Sequence, residues 1–330
     1  MNLETVVQPK GVKEKKLSSG AIQQLLAFGS LLVLIIFFSL ASSSFLQYNN
    51  LIGILLSTAV IGILALGATF VIITGGIDLS VGTVMTLSSV MTGVFVVQAG
   101  TPIWIGIIGG VLTGAACGFL CGIAIAKLNI PPFIATLAMM MVAKGLALVI
   151  SGAAPIYFSD HPAFTKISLG SIIPGINVPN AILIFFIMAI IGGVILSKTI
   201  LGRYNFAIGS NEEATKLSGV NVNFWKITIY TLAGAFTGIA GVLMASRLNS
   251  AQPALGQGYE LEAIAAVVIG GTSLSGGKGT IVGTVIGALI MSVLTNGLRI
   301  MSIPQEWQTV VVGLVIILAV YADMLRKKKD

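Results

Sequence analysis

Charged side chains are scarce in this 330-residue sequence: only 9% of positions are Asp, Glu, Lys or Arg, where a soluble domain carries about a quarter. So few charges cannot cover a water-facing surface, which excludes a soluble globular protein. Histidine occurs once, as His161 beside Asp160 in a polar loop. That position reads as an exposed loop residue and leaves no Ser-His-Asp triad in the apolar body. The two cysteines, Cys117 and Cys121, stand four apart in an apolar run. They share one helix face, where a mutual disulfide and metal ligation are both disfavoured and buried packing is expected. A phosphate-binding loop is missing as well. Residues Gly276-Gly277-Lys278-Gly279-Thr280 approach G-x-x-x-x-G-K-[ST], but Thr272 and Gly279 stand where glycine and a hydroxyl residue are required. No cofactor or metal site of the chain's own is expected.

Hydrophobic residues, by contrast, make up 56% of the chain, and 40 glycines occur without a collagen period. Small residues at that level suit closely packed membrane helices. A span needs about 20 apolar residues. Apolar windows fall near 23–43, 51–73, 81–98, 103–126, 133–152, 178–197, 225–245, 261–272, 280–298 and 305–323. The fold class is therefore an all-α polytopic membrane protein of about ten transmembrane helices. The 261–272 window is short and 74–82 is rich in glycine, features of half helices and broken helices that line a cavity. The run from Leu25 to Leu40, after Lys10, Lys13, Lys15 and Lys16, exceeds a signal-peptide core and reads as an uncleaved first span.

Charge orients these spans. With ten spans and the N-terminus inside, 14 of the 18 basic residues fall in inner segments. Lys166, Arg247 and Arg299 fall outside, and Lys144 lies within a span. This bias explains the net charge of +7 without nucleic acid and makes both termini cytoplasmic. Residues 1–22 and 325–330 are basic cytoplasmic ends of a transmembrane unit over 23–324. An outer loop over about 153–177 is expected to be ordered by turns, given Pro155, Pro162 and Pro174.

The inner loop, about 198–224, is more informative. Ser210-Asn211-Glu212-Glu213 has the form of a capping box, with Ser210 as the cap. Both glutamates suit the first turn, Lys216 suits the last, and Gly219 suits a left-handed end. A helix of about eight residues, roughly 12 Å long, is expected. Ala214 and Leu217 share one of its faces. A solvated connector and a docking element both fit that pattern.

Gly75–Gly82 and Gly270–Gly277 both read G-G-x-x-L-S-x-G, an internal echo of the kind duplicated transporters carry. Asp78 and Lys144 are the ionisable groups expected near the bilayer core, a default functional hypothesis. Asp78 serves equally as a cap for a helix starting near Leu79.

The stretches Gly75–Gly82, Leu201–Asn223 and Ser250–Lys278 (SAQPALGQGYELEAIAAVVIGGTSLSGGK), with Gly279–Leu289, resemble the permease subunits of bacterial ABC importers for monosaccharides. The similarity runs over about 25–324. It implies a second permease copy, an ATP-binding subunit on the cytoplasmic side that holds ATP and magnesium, and a periplasmic or lipid-anchored sugar-binding protein. All of these would assemble in the lipid of the inner membrane. It also implies that Asn211–Gly219 is the coupling helix against the ATPase. Ribose is the expected cargo, with xylose, galactose, allose or a small polyol open. Phe133, Thr136 and Met140, with Asp78 and Lys144, are candidates for the translocation path, although such residues more often serve packing. An ion-coupled secondary transporter using Asp78 or Lys144 is the alternative.

Overall fold

A computed structural model of the chain describes residues 19–173, 175 and 177–327. Lys10–Lys16, Pro174 and the last three residues of the basic tail lie outside them. The described elements are α1 (Ser19–Ala41), α2 (Tyr48–Ile73), α3 (Val81–Gly93), α4 (Ile103–Ala126), α5 (Pro132–Ser151), β1 (Ile156–Tyr157), α6 (Pro162–Leu169) and α7 (Asn180–Lys198). They continue through α8 (Ile200–Ser210), α9 (Glu212–Leu217), α10 (Val222–Leu248), β2 (Ser250–Ala251), α11 (Tyr259–Ile269), α12 (Ile281–Ile300) and α13 (Gln305–Lys327). All ten apolar windows are helical. Eight of the helices are long and apolar enough to cross a membrane, α3 counting with its π-helical continuation Val94–Gln98. The other two are α11, with 11 residues, and α13, whose apolar part is Gln305–Tyr321.

Glycine decides how the centre is packed. On α4, Gly106, Gly110, Gly114, Gly118 and Gly122 recur at every fourth position, one stripe along one helix face. Gly114 meets Gly234 and Gly238 of α10 backbone to backbone, and Gly118 meets the Tyr230 carbonyl. A Cβ added at Gly122 would lie 2.8 Å from Ile227 Cα. Lipid supplies no hydrophobic drive between helices, so this close van der Waals approach is what joins them. α2 packs on α10, α12, α7 and α11 and is buried continuously from Thr58 to Ile73. Several threonine hydroxyls inside the spans are satisfied locally: Thr69, Thr92 and Thr237 donate to carbonyls four residues back. Thr69 also shares a 2.7 Å hydrogen bond with Thr284, linking α2 to α12.

The connections sort into two ends. At one, β1 pairs with β2 antiparallel, the Tyr48 hydroxyl donates to the Asn177 carbonyl at 2.8 Å, and Asn296 Nδ2 donates to Asn50 Oδ1 at 3.0 Å. At the other, the Gly277 amide donates to the Ile73 carbonyl at 2.9 Å, and Gln24 Nε2 donates to Thr280 Oγ1 at 3.0 Å. Each of these contacts joins segments that the basic-residue count assigns to the same side.

Several local expectations are revised. The outer loop contains a helix, α6, and His161 is half-buried just before it rather than exposed. The echoed glycine pairs both end a helix in a left-handed turn, but one position out of register. Gly75 has φ +82° and Gly271 has φ +91°. The amides that follow, Gly76 and Thr272, donate to Val71 and Val267. Beyond the turn the copies diverge: 77–80 leads directly into α3, whereas 273–279 folds back through a Ser273-to-Lys278 bond. The echo is a shared way of ending a helix.

Candidate functional site

The connection over about 198–224 is more structured than its sequence indicated. Thr199 caps α8 by accepting from the Gly202 amide at 3.4 Å, and α8 then runs through Ser210. Ser210 is thereby the last residue of one helix and cannot cap the next. Asn211 does so, extended at φ −162°, with Oδ1 accepting from the Ala214 amide at 2.8 Å. Glu213 is exposed, and no bond returns from it to Ser210. The helix is thus six residues, Glu212–Leu217, about 9 Å long. Gly219 ends it at φ +82°, with the Val220 amide donating to the Thr215 carbonyl. Glu212 forms an ion pair with Lys226 of α10 at 2.7 Å. Thr215 turns inward, while Ala214 and Leu217 face out, Leu217 being 89% exposed. An exposed leucine on a helix doubly fixed at its ends is an anchor presented to solvent.

A polar vestibule of about 710 Å³ opens at the opposite end of α10, a volume within the range of small-molecule sites. It forms where the chain turns back after β2. The Gly256 backbone packs on the Gly82 backbone of α3, and Gly258 takes φ +98°. The Gly258 amide donates to the Glu260 carboxylate at 3.1 Å, and α11 starts there, short of a full span. Gln257, Tyr259 and Glu262 come from this segment, Arg247 from the last turn of α10, Arg299 from that of α12, and Gln308 from α13. Arg247 donates to Ser57 Oγ of α2 at 3.4 Å. Val60, Ile61, Met244 and Val312 supply apolar wall. Amides, hydroxyls and both signs of charge around such a wall can bind a neutral, polyhydroxylated solute through many weak hydrogen bonds.

None of the five path candidates lines this vestibule. Asp78, 6% exposed, accepts from the amide and the hydroxyl of Ser80 at 2.8 and 2.6 Å, closing the turn into α3. Thr136 is fully buried, accepts from the Leu79 amide and donates to the Ile77 carbonyl, each at 3.2 Å. Phe133 is half exposed and Met140 half buried on α5. Lys144 is exposed beside a narrow crevice with Thr83, Thr86 and Gly256, separated from the vestibule by Gln257, which lines both.

The vestibule residues carry little signal in the sequence. Arg247 and Arg299 count there as outer loop charge, and Glu260 and Glu262 sit at the edge of the shortest apolar window. The available signal is that Arg247 and Arg299 both fall just past the ends of apolar windows, 225–245 and 280–298.

Residues 50–320 match the family described as "Branched-chain amino acid transport system / permease component", and the chain belongs to it. Ribose import permease protein RbsC of Bacillus subtilis (strain 168) is 45% identical over 312 residues, 94% of each chain. The D-allose transport system permease protein AlsC of Escherichia coli (strain K12) is 37% identical over 299 residues, 90% of each. The L-arabinose ABC transporter permease protein AraH of Azospirillum brasilense is 37% identical over 298 residues, 90% of this chain and 86% of that one. The family description is worded for amino acids, whereas these three relatives are sugar permeases by name. No solved structure matches the chain.

Proposed function

We propose that this chain is the membrane permease of an ATP-driven importer for a monosaccharide, with ribose the first candidate. The 45% identity to a ribose import permease across 94% of both chains carries this reading. Allose and arabinose permeases at 37% keep related sugars as alternatives. Two permease copies form the translocation unit in the inner membrane, with both termini cytoplasmic. A periplasmic or lipid-anchored binding protein delivers the sugar to the vestibule end. There Gln257, Gln308, Tyr259 and Arg247 replace part of the sugar's hydration, and apolar wall beneath them prevents tight retention. Lys144 lies beside the start of this route.

At the other end Asn211–Gly219 is the coupling element. Leu217 and Ala214 insert into a groove of the ATP-binding subunit, a common mode for short exposed helices. ATP and magnesium are held by that subunit. The small residues of the α4–α10 crossing permit the close packing that alternating access requires.

Uptake of labelled ribose into proteoliposomes tests the assignment. Transport is expected only when the permease, the ATPase, the sugar-binding protein and luminal ATP are all present, and competing sugars rank the substrate. Uptake by the permease alone, driven by an ion gradient, would overturn it in favour of a secondary transporter.

A further inference from the structure

A second cavity, of about 780 Å³, has a different character from the vestibule. It is an open groove between α4, α8 and α10, walled by Phe119, Leu201, Phe224, Ile227 and Leu232. Its one charged group and its amides gather at one end, where Lys127, Asn221 and Asn223 lie, while the hydroxyls of Thr228 and Thr231 further along donate to their own helix. No acidic residue lines it. Lys127 is exposed and forms no ion pair among the described residues. Asn221 caps α10 through Oδ1, accepting from the Phe224 amide at 3.0 Å. The positive end of a 27-residue helix therefore opens onto the same rim.

Depth identifies the occupant. From Asn223 to Ala235 the groove follows α10 for about 18 Å at 1.5 Å per residue. One leaflet of hydrocarbon is about 15 Å, half of a core of about 30 Å. Beside the rim, Trp225 and Tyr204 have ring centroids 5.0 Å apart, and these residue types concentrate at membrane interfaces. The groove thus begins at headgroup level and ends near the bilayer midplane. We propose that it seats an acyl chain of an anionic phospholipid, whose phosphate is held at the rim by Lys127 and the amino end of α10. This site goes beyond the transport reading and does not depend on which sugar is carried.

Native mass spectrometry of the purified full chain, titrated with phosphatidylglycerol or with phosphatidylcholine of the same acyl composition, tests the proposal. Phosphatidylglycerol should be retained preferentially, and millimolar inorganic phosphate should not displace it. Lys127→Gln should weaken phosphatidylglycerol by about fivefold and leave phosphatidylcholine unchanged. Ala235→Phe, filling the deep end, should weaken both lipids. Equal retention of the two lipids by the unmodified chain, or no effect of Lys127→Gln, would overturn it. Displacement by phosphate alone would make the rim a simple anion site and also defeat it. So would a disulfide between two Phe119→Cys copies that abolishes lipid retention, because a second copy would then cover the groove.

Discussion

The two ends of the bundle differ in how much open space they leave, although each includes a glycine backbone contact. At the vestibule end, side chains from α2, α10, α11, α12 and α13 stand apart around about 710 Å³ of open space. At the α9 end, backbone meets backbone: Gly209 sits on the Ile73 carbonyl, and Gly276 lies against the carbonyls of Ile73 and Gly209. One end is open and held by long side chains that can change partners. The other is closed by contacts that side chains cannot adjust. Opening the α9 end would mean parting the Ile73, Gly209 and Gly276 backbones from one another.

The largest effect should come from disturbing the closed end. Gly209→Val would place a Cβ and two methyls against the Ile73 carbonyl and 2.6 Å from the Gly277 amide nitrogen. Overpacking of this kind costs about 1–3 kcal/mol or more, and thermal unfolding of the purified protein should show it as a lowered Tm. An unchanged Tm would mean that the two segments are free to part. Next comes the exposed face at the same end. Leu217→Glu should cut ATP-dependent uptake by about tenfold or more, the scale of losing a contact hot spot. Membrane insertion and Tm should hold, because Leu217 is 89% exposed. Full coupled transport in that variant would remove the docking role. The smallest effect belongs to the vestibule. Gln308→Ala should lower uptake about two- to tenfold, one hydrogen bond's worth, without altering assembly. A complete loss of uptake would show that the vestibule is a tight site rather than a permissive one.

The sequence was most legible where a signal is local and repeated. Apolar runs locate all ten helical windows, and the shortness of 261–272 anticipates the half-helix α11. Gly219 and the two glutamates correctly mark the ends of α9. The cap was misplaced by one residue because a sequence motif does not reveal that Ser210 is already committed to the preceding helix. α8 itself was hidden: Ile200–Ser210 mixes Arg203, Asn205 and Gly209 into a weak apolar pattern. The vestibule had no local signature at all. Ser57, Arg247, Glu262, Arg299 and Gln308 are brought together only by packing of distant helices. Asp78, conspicuous as an acid between two apolar runs, is occupied by its own turn.

The length of α10 has a mechanical consequence. Its 27 residues form one unbroken rod of about 40 Å. One tip is tied to α9 by the Lys226–Glu212 pair, and the other carries Arg247 into the vestibule. The glycine stripe of α4 lies against its middle, backbone to backbone. Under the proposed docking, a push on α9 would act on this rod through the Lys226–Glu212 pair. Arg247 would then move with the far tip of the same helix, as the end of a connecting rod moves with its drive.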